Sequence, residues 1–252
     1  MNLVRLLLVS FTVLFSGCAH YTTPGGSVSL NDLAEQDINK MMSTKPLANF
    51  PANLAIARIQ ASGYQSYRQS SFGHGRYSVV TVREIESEQD FLRMIKLEGI
   101  AGIAPLNKLF LPTKLDSIKA LRLAAARLKT DILMIYTFDT SFNVGKQSFM
   151  PLSVISLGFM NNKEVSVTTT ATAAFFDVRT EYLYGIAEAT AKYKDNASVW
   201  SSESVVDDLR VLTEKEAFQG LLTEIETTWK GITSMVQQVS KISLTGTDMK
   251  LD

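Results

Sequence analysis

The seven residues Ile132 to Phe138, ILMIYTF, constrain the fold of this chain more than any other stretch. The run is continuous, apolar and of strand length. Directly before it, Asp116 to Lys129 places Ile118, Leu121, Ala125 and Leu128 at 3-4-3 spacing, which is one face of a helix. Lys129-Thr130-Asp131 turns the chain between them. A continuous apolar strand directly after a helix reads as a central strand covered on both faces.

The remaining elements assemble around that strand. Leu54 to Ile59 (LAIARI) predicts a strand with Arg58 facing outward, Gly63 to Arg76 a loop, and Tyr77 to Val82 a second strand. Ser87 with Asp90 forms a capping box for a helix carrying Phe91, Leu92, Met94 and Ile95, which Gly99 stops. Ile100 to Leu111, broken by Gly102 and Pro105, predicts one short strand and a loop. Val165 to Phe176 and Tyr182 to Lys194 are rich in threonine, valine and aromatics, which favour strands. The polar link Asp177 to Glu181 makes them a hairpin. Thr213 with Glu216 reads as a capping box opening the last and longest helix. There Ala217, Leu221, Ile225, Trp229, Ile232, Val236 and Val239 form a stripe that packs across the sheet or against a partner helix. The expected fold is therefore α/β: a mixed sheet with packing helices and a long C-terminal helix, one domain over residues 30–244. Ser29 with Asp32 opens a further helix that ends before Lys45-Pro46. Residues 245–252 form a polar tail.

The front of the chain has a different character. Met1 to Ser10 reads MNLVRLLLVS and Phe11 to Cys18 reads FTVLFSGC. One basic residue, Arg5, precedes an apolar run from Leu6 to Phe15. That run is too short for a membrane-spanning helix, which needs roughly 20 residues. A charged start, a short apolar core and small residues before a cut site describe a secretory signal peptide over residues 1–17. Leu14-Phe15-Ser16-Gly17-Cys18 resembles the lipobox of bacterial lipoproteins. That resemblance implies cleavage before Cys18, with lipid on its sulfur and amine. Pro24, Gly25 and Gly26 make residues 18–29 a flexible tether. Cys18 is the only cysteine, so no disulfide can form within one chain. Ala19 follows it, where lipoproteins kept at the inner membrane typically carry aspartate. The resemblance thus implies the outer membrane, with the domain facing the periplasm.

Composition narrows the function classes. The 25 basic and 25 acidic residues balance, so no basic face marks a nucleic-acid partner. His20 lies in the tether and His74 in the turn Phe72-Gly73-His74-Gly75, neither beside further ligands at metal-binding spacing. That turn lacks the third glycine and the lysine of a phosphate loop. Glu84, Glu86, Glu88 and Asp90 flank a helix start, where negative charge complements the helix dipole. Asp207-Asp208 reads as a solvated loop. No catalytic, cofactor-binding or metal-ligating residue is predicted, and an enzyme is not expected. Phe149 to Met160 (FMPLSVISLGFM) is apolar beyond what the fold demands, and suits either the core or contact with a partner or membrane.

Leu121 to Tyr136, LRLAAARLKTDILMIY, resembles the helix-to-strand passage of the TolB amino-terminal domain and the curli secretion lipoprotein CsgG. Asp177 to Tyr184, DVRTEYLY, is similar to the hairpin turn of those families, with Glu181 where they have glycine. The resemblance implies their fold and compartment and carries no catalytic residues. The expected function is a lipid-anchored, non-enzymatic binding or scaffold component of the envelope. It would meet the membrane through Cys18 and a protein partner or its own copies through the domain. The alternative is a subunit of an oligomeric CsgG-like export or envelope assembly.

Overall fold

The computed structural model describes residues 20–21, 26–27, 38–66, 71–144, 155–156, 164–196 and 203–247. The predicted signal peptide, Cys18, most of the tether, residues 248–252 of the polar tail and most of Phe149 to Met160 lie outside the described residues; residues 245–247, expected in that tail, belong instead to the last helix.

The chain is mixed α/β. In order it forms β1 (His20–Tyr21), α1 (Ile38–Ser43), β2 (Ala52–Ala61), β3 (His74–Gly75), β4 (Tyr77–Val80), α2 (Glu88–Ile95), β5 (Ile100–Pro105) and a short 3-10 turn (Lys108–Phe110). β6 (Lys114–Leu115), α3 (Ile118–Arg127), β7 (Ile132–Val144), β8 (Ile155–Ser156), β9 (Glu164–Asp177), β10 (Leu183–Asn196) and α4 (Glu203–Thr247) follow. The six-stranded sheet runs β10-β9-β7-β2-β4, and β5 shares the outer flank of β2 with β4. β2 is parallel to both β7 and β5; the remaining pairs are antiparallel. Along that flank, β5 pairs with Ala52 to Ile56 and β4 with Arg58 to Ala61. The two outer strands therefore part company beside Ala57.

β7 confirms the expectation for ILMIYTF and extends it to Val144. Its side chains alternate between two cores. Ile132, Met134, Tyr136 and Phe138 meet Phe218, Leu222 and Trp229 of α4, whereas Leu133 and Ile135 meet Ile118, Leu121 and Ala125 of α3. Fully burying one such side chain stabilises the fold by about 1.5–3 kcal/mol. The predicted hairpin forms over its full length, Leu183 opposite Phe176 and Asn196 opposite Glu164. The capping box at Ser87 and Asp90 forms as read, yet Leu92 and Ile95 of α2 are exposed and Met94 carries the packing. His74 and Gly75, expected in a loop, form a two-residue strand parallel to β6.

Three expectations are corrected. The long helix begins at Glu203, ten residues before the predicted cap, and Thr213 lies inside it with its hydroxyl donating to the Leu209 carbonyl at 2.8 Å. A threonine hydroxyl in a helix can bond the preceding turn, so Thr213 needs no N-cap role. Asp207 is fully buried rather than in a solvated loop, while its neighbour Asp208 is exposed. Arg58 is 3% exposed and points into the protein toward α4.

The apolar stripe of α4 packs on the sheet from Ala217 to Ile232. Two close approaches set its distance from β10. A Cβ built on Gly220 would lie 3.1 Å from Ala189 Cβ, and one on Gly185 would lie 2.8 Å from Thr228 Cγ2.

Candidate functional site

The chain concentrates its buried charge at one end of the sheet. β2 brings Arg58, the link between β4 and α2 brings Glu84 and Glu86, and the first turns of α4 bring Asp207, Arg210 and Glu214. On a helix, residues three and four apart share a face. Arg210 accordingly donates through Nε to Asp207 Oδ1 at 2.9 Å and through Nη1 to Glu214 Oε2 at 2.7 Å. Its Nη2 crosses to Glu84 Oε1 at 2.8 Å. Arg58 Nη2 donates to Glu214 Oε2 at 3.3 Å and to the Tyr64 hydroxyl at 3.2 Å, and its guanidinium lies 4.5 Å from the centre of the Phe138 ring. The Tyr136 hydroxyl donates to Glu86 Oε1 at 2.7 Å, and Thr140 donates to Glu214 Oε1 at 3.0 Å.

Two arginines thus face four carboxylates. Burial works against charge on Arg58, but Glu214 and Glu86 outweigh it and hold its pKa above the ordinary value. Arg210 is held up in the same way, chiefly by Glu214 against burial. Burial pushes the Glu214 carboxyl up despite the pull of both arginines. Burial likewise pushes the Tyr64 phenol up to about 12 and Tyr136 well above its usual range, so both keep their hydroxyl protons, Tyr64 accepting from Arg58 and Tyr136 donating to Glu86.

Beside this network, where β4 and β5 diverge, a recess of about 210 Å³ opens. Arg58, Glu86 and Tyr136 are its buried polar residues, beside buried apolar ones such as Ile56 and Val79; Arg83, Phe91 and Asn107 are more exposed. The Arg83 guanidinium lies 4.4 Å from the centre of the Phe91 ring. Arg58 Nε and Nη1 meet no hydrogen-bond acceptor among the described residues, and the carboxylate of Glu86 stops 3.7 Å from Nη1. A buried polar donor left without an acceptor costs about 1–3 kcal/mol, and more when charged. Both nitrogens are themselves buried.

The sequence expectations map onto this site unevenly. Of the acidic run, Glu88 and Asp90 do lie in the first turn of α2, but Glu84 and Glu86 belong to the buried network. His74 is exposed on β3, away from the network. His20 lies in β1, opposite Ser156 of β8. Cys18 lies outside the described residues. From sequence, Arg58 is expected only as an outward-facing strand residue, and Arg210 and Glu214 carry no expectation. A signal existed for the last two: Asp207, Arg210 and Glu214 run in 3-4 steps directly into Ala217 and Leu221, so they share the face of the apolar stripe. Among the described residues, no group of three or more histidine, cysteine or acidic side chains could hold a metal ion. No helix among them is long and apolar enough to cross a membrane.

No family model matches this chain, and no curated protein matches it. Several solved structures align with it, among them two of low identity. The hypothetical protein CT253 from Chlamydia trachomatis is 10% identical with a TM-score of 0.30, over 69% of this chain and 95% of its own. Protein XCC0632 from Xanthomonas campestris, of the DUF330 family, is 8% identical with a TM-score of 0.32, over 83% of this chain and 98% of its own.

Proposed function

We propose that this protein is a lipid-anchored, non-enzymatic binding component of the bacterial cell envelope, held at the outer membrane through Cys18 with its α/β domain in the periplasm. The address rests on the sequence from Leu14 to Cys18. The binding role rests on one structural observation: Arg58 is among the residues that line the recess, and two of its buried nitrogens, Nε and Nη1, meet no hydrogen-bond acceptor among the described residues. Network partners fix the arginine from behind, so the donors are pre-organised, which lowers the cost of ordering on binding.

Both halves can be tested in cells. Labelled palmitate should enter the wild-type protein and fail to enter Cys18→Ser, which should also leave the membrane fraction. Label on Cys18→Ser, or none on wild type, would end the lipoprotein reading. For the recess, a photo-crosslinking amino acid at the exposed position Thr81 should yield a defined adduct. Filling the recess with Asn107→Trp should abolish that adduct, and the same crosslinker at Lys119 on α3 should give none. An adduct that survives Asn107→Trp would count against the recess as the binding site.

A further inference from the structure

The outer edge of β10 has no strand paired to it among the described residues. Among the described residues β10 pairs only with β9, and from Gly185 to Asn196 its register runs without a bulge. It contains no proline. Such edges offer a row of backbone N–H and C=O groups, and proteins usually shorten, bulge, break or cover them.

We propose that this edge pairs with the same edge of a second copy, antiparallel, about a two-fold axis at Thr190, giving one continuous sheet through both domains. The proposal concerns the folded domain and stands whether or not Cys18 carries lipid.

The side chains specify the register. Odd-numbered residues of β10 face α4: Ala187 and Ala191 are buried there and Ala189 packs against the same core. Even-numbered residues Ile186, Glu188, Thr190, Lys192 and Lys194 are exposed on the other face. A two-fold axis perpendicular to the sheet keeps α4 on the same side in both copies. Opposed residues must then share a face, so the axis passes through a residue and not between two. With the axis at Thr190, Glu188 of each copy stands opposite Lys192 of the other, and Thr190 stands opposite itself. Ile186, 51% exposed, lies under the aliphatic stem of the other copy's Lys194. On the α4 face Ala189 meets Ala191, and neither side chain is bulky. Moving the axis to Ala189 sets Lys192 against Ile186 and leaves Glu188 without a lysine. Moving it to Ala191 keeps one kind of charge pair, Glu188 with Lys194, but separates the two threonines and sets Thr190 against Lys192. Opposite charges directly across a strand pair favour it and like charges oppose it, so the axis at Thr190 gains Glu188 opposite Lys192, whereas an axis at Lys192 or Tyr193 would set lysines against each other.

The full-length protein in native membranes supplies the test. Thr190→Cys should form a disulfide-linked dimer under mild oxidation, because only that residue faces its own copy. Glu188→Cys should not, since its copy lies four residues away along the strand. In detergent, sedimentation should show a dimer for wild type, with Lys192→Glu weakening it about tenfold. The swap Glu188→Lys with Lys192→Glu should restore it. Three results would overturn the proposal: equal crosslinking by the two cysteine variants, a crosslink from Thr190→Cys to a different protein with no dimer, or a dimer indifferent to charge reversal.

Discussion

Arg58 of β2 and Glu214 of α4, 156 residues apart in sequence, meet at 3.3 Å with both side chains almost wholly buried. Glu214 also accepts from Arg210, so one carboxylate ties the central sheet to the first turns of the long helix. Removing one partner of a buried pair strands the other and costs about 3–5 kcal/mol. Arg210→Leu takes the guanidinium from Glu84, Asp207 and Glu214 at once, leaving Glu214 with Arg58 and Thr140, and is expected to lose at least that much in urea unfolding. A loss below about 1 kcal/mol would show that the network adds nothing to stability.

Glu214 also sets a pH dependence. Burial raises its folded pKa above the ordinary 4.5. The folded chain then holds a proton that the unfolded chain has released, so stability falls as pH rises from about 4.5 through the folded value. Glu214→Gln has no proton to lose. Its urea midpoint should therefore drop less than that of wild type between pH 4.5 and pH 8.

At lower pH two aspartates act in the opposite sense. Burial alone would raise Asp177, but the backbone N–H groups of Leu47, Thr180 and Arg179 and the Tyr184 hydroxyl outweigh it and lower its pKa. Asp90 is lowered against burial by Gln219 and Ser87. Both contribute stability above 3.8 that is lost as pH falls through their folded values. Asp177→Asn should flatten the acid limb of the unfolding profile.

Glu181 closes the β9–β10 hairpin at φ +68°, a conformation that favours glycine. Arg122 holds its carboxylate, and its N–H donates to the Asp177 carbonyl at 3.0 Å. Glu181→Ala and Glu181→Gly both lose the ion pair, but only glycine adopts that backbone without strain. The glycine variant should be more stable than the alanine variant by about 1 kcal/mol in thermal unfolding. Equal stabilities would mean that the turn relaxes.

Gly185 lets α4 lie against β10. A methyl there would meet Thr228 Cγ2 at 2.8 Å, so Gly185→Ala should cost about 1–3 kcal/mol by overpacking. Gly185→Ala combined with Thr228→Ser, which removes the opposing methyl, should recover part of it.

Sequence alone determined the elements whose periodicity is local. ILMIYTF reads as a strand with both faces covered, because apart from the hydroxyls of Tyr136 and Thr137 its side chains are apolar and a strand sends alternate ones to opposite faces. The capping box at Ser87, the hairpin around Asp177 and the stripe from Ala217 to Ile232 were legible for the same reason: their signals lie within a few residues of one another. Tertiary structure alone decided the fate of the charges. Arg58 in LAIARI reads as the solvent side of a strand until Glu214 and Glu86 arrive from elements far along the chain. Asp207 reads as a loop until Arg210, itself held by Glu84 and Glu214, pairs with it. A charge can be buried only when its partners converge, and that convergence depends on which strands become neighbours. Neither the parting of β4 from β5 beside Ala57 nor the recess it opens can be read from any single stretch of sequence.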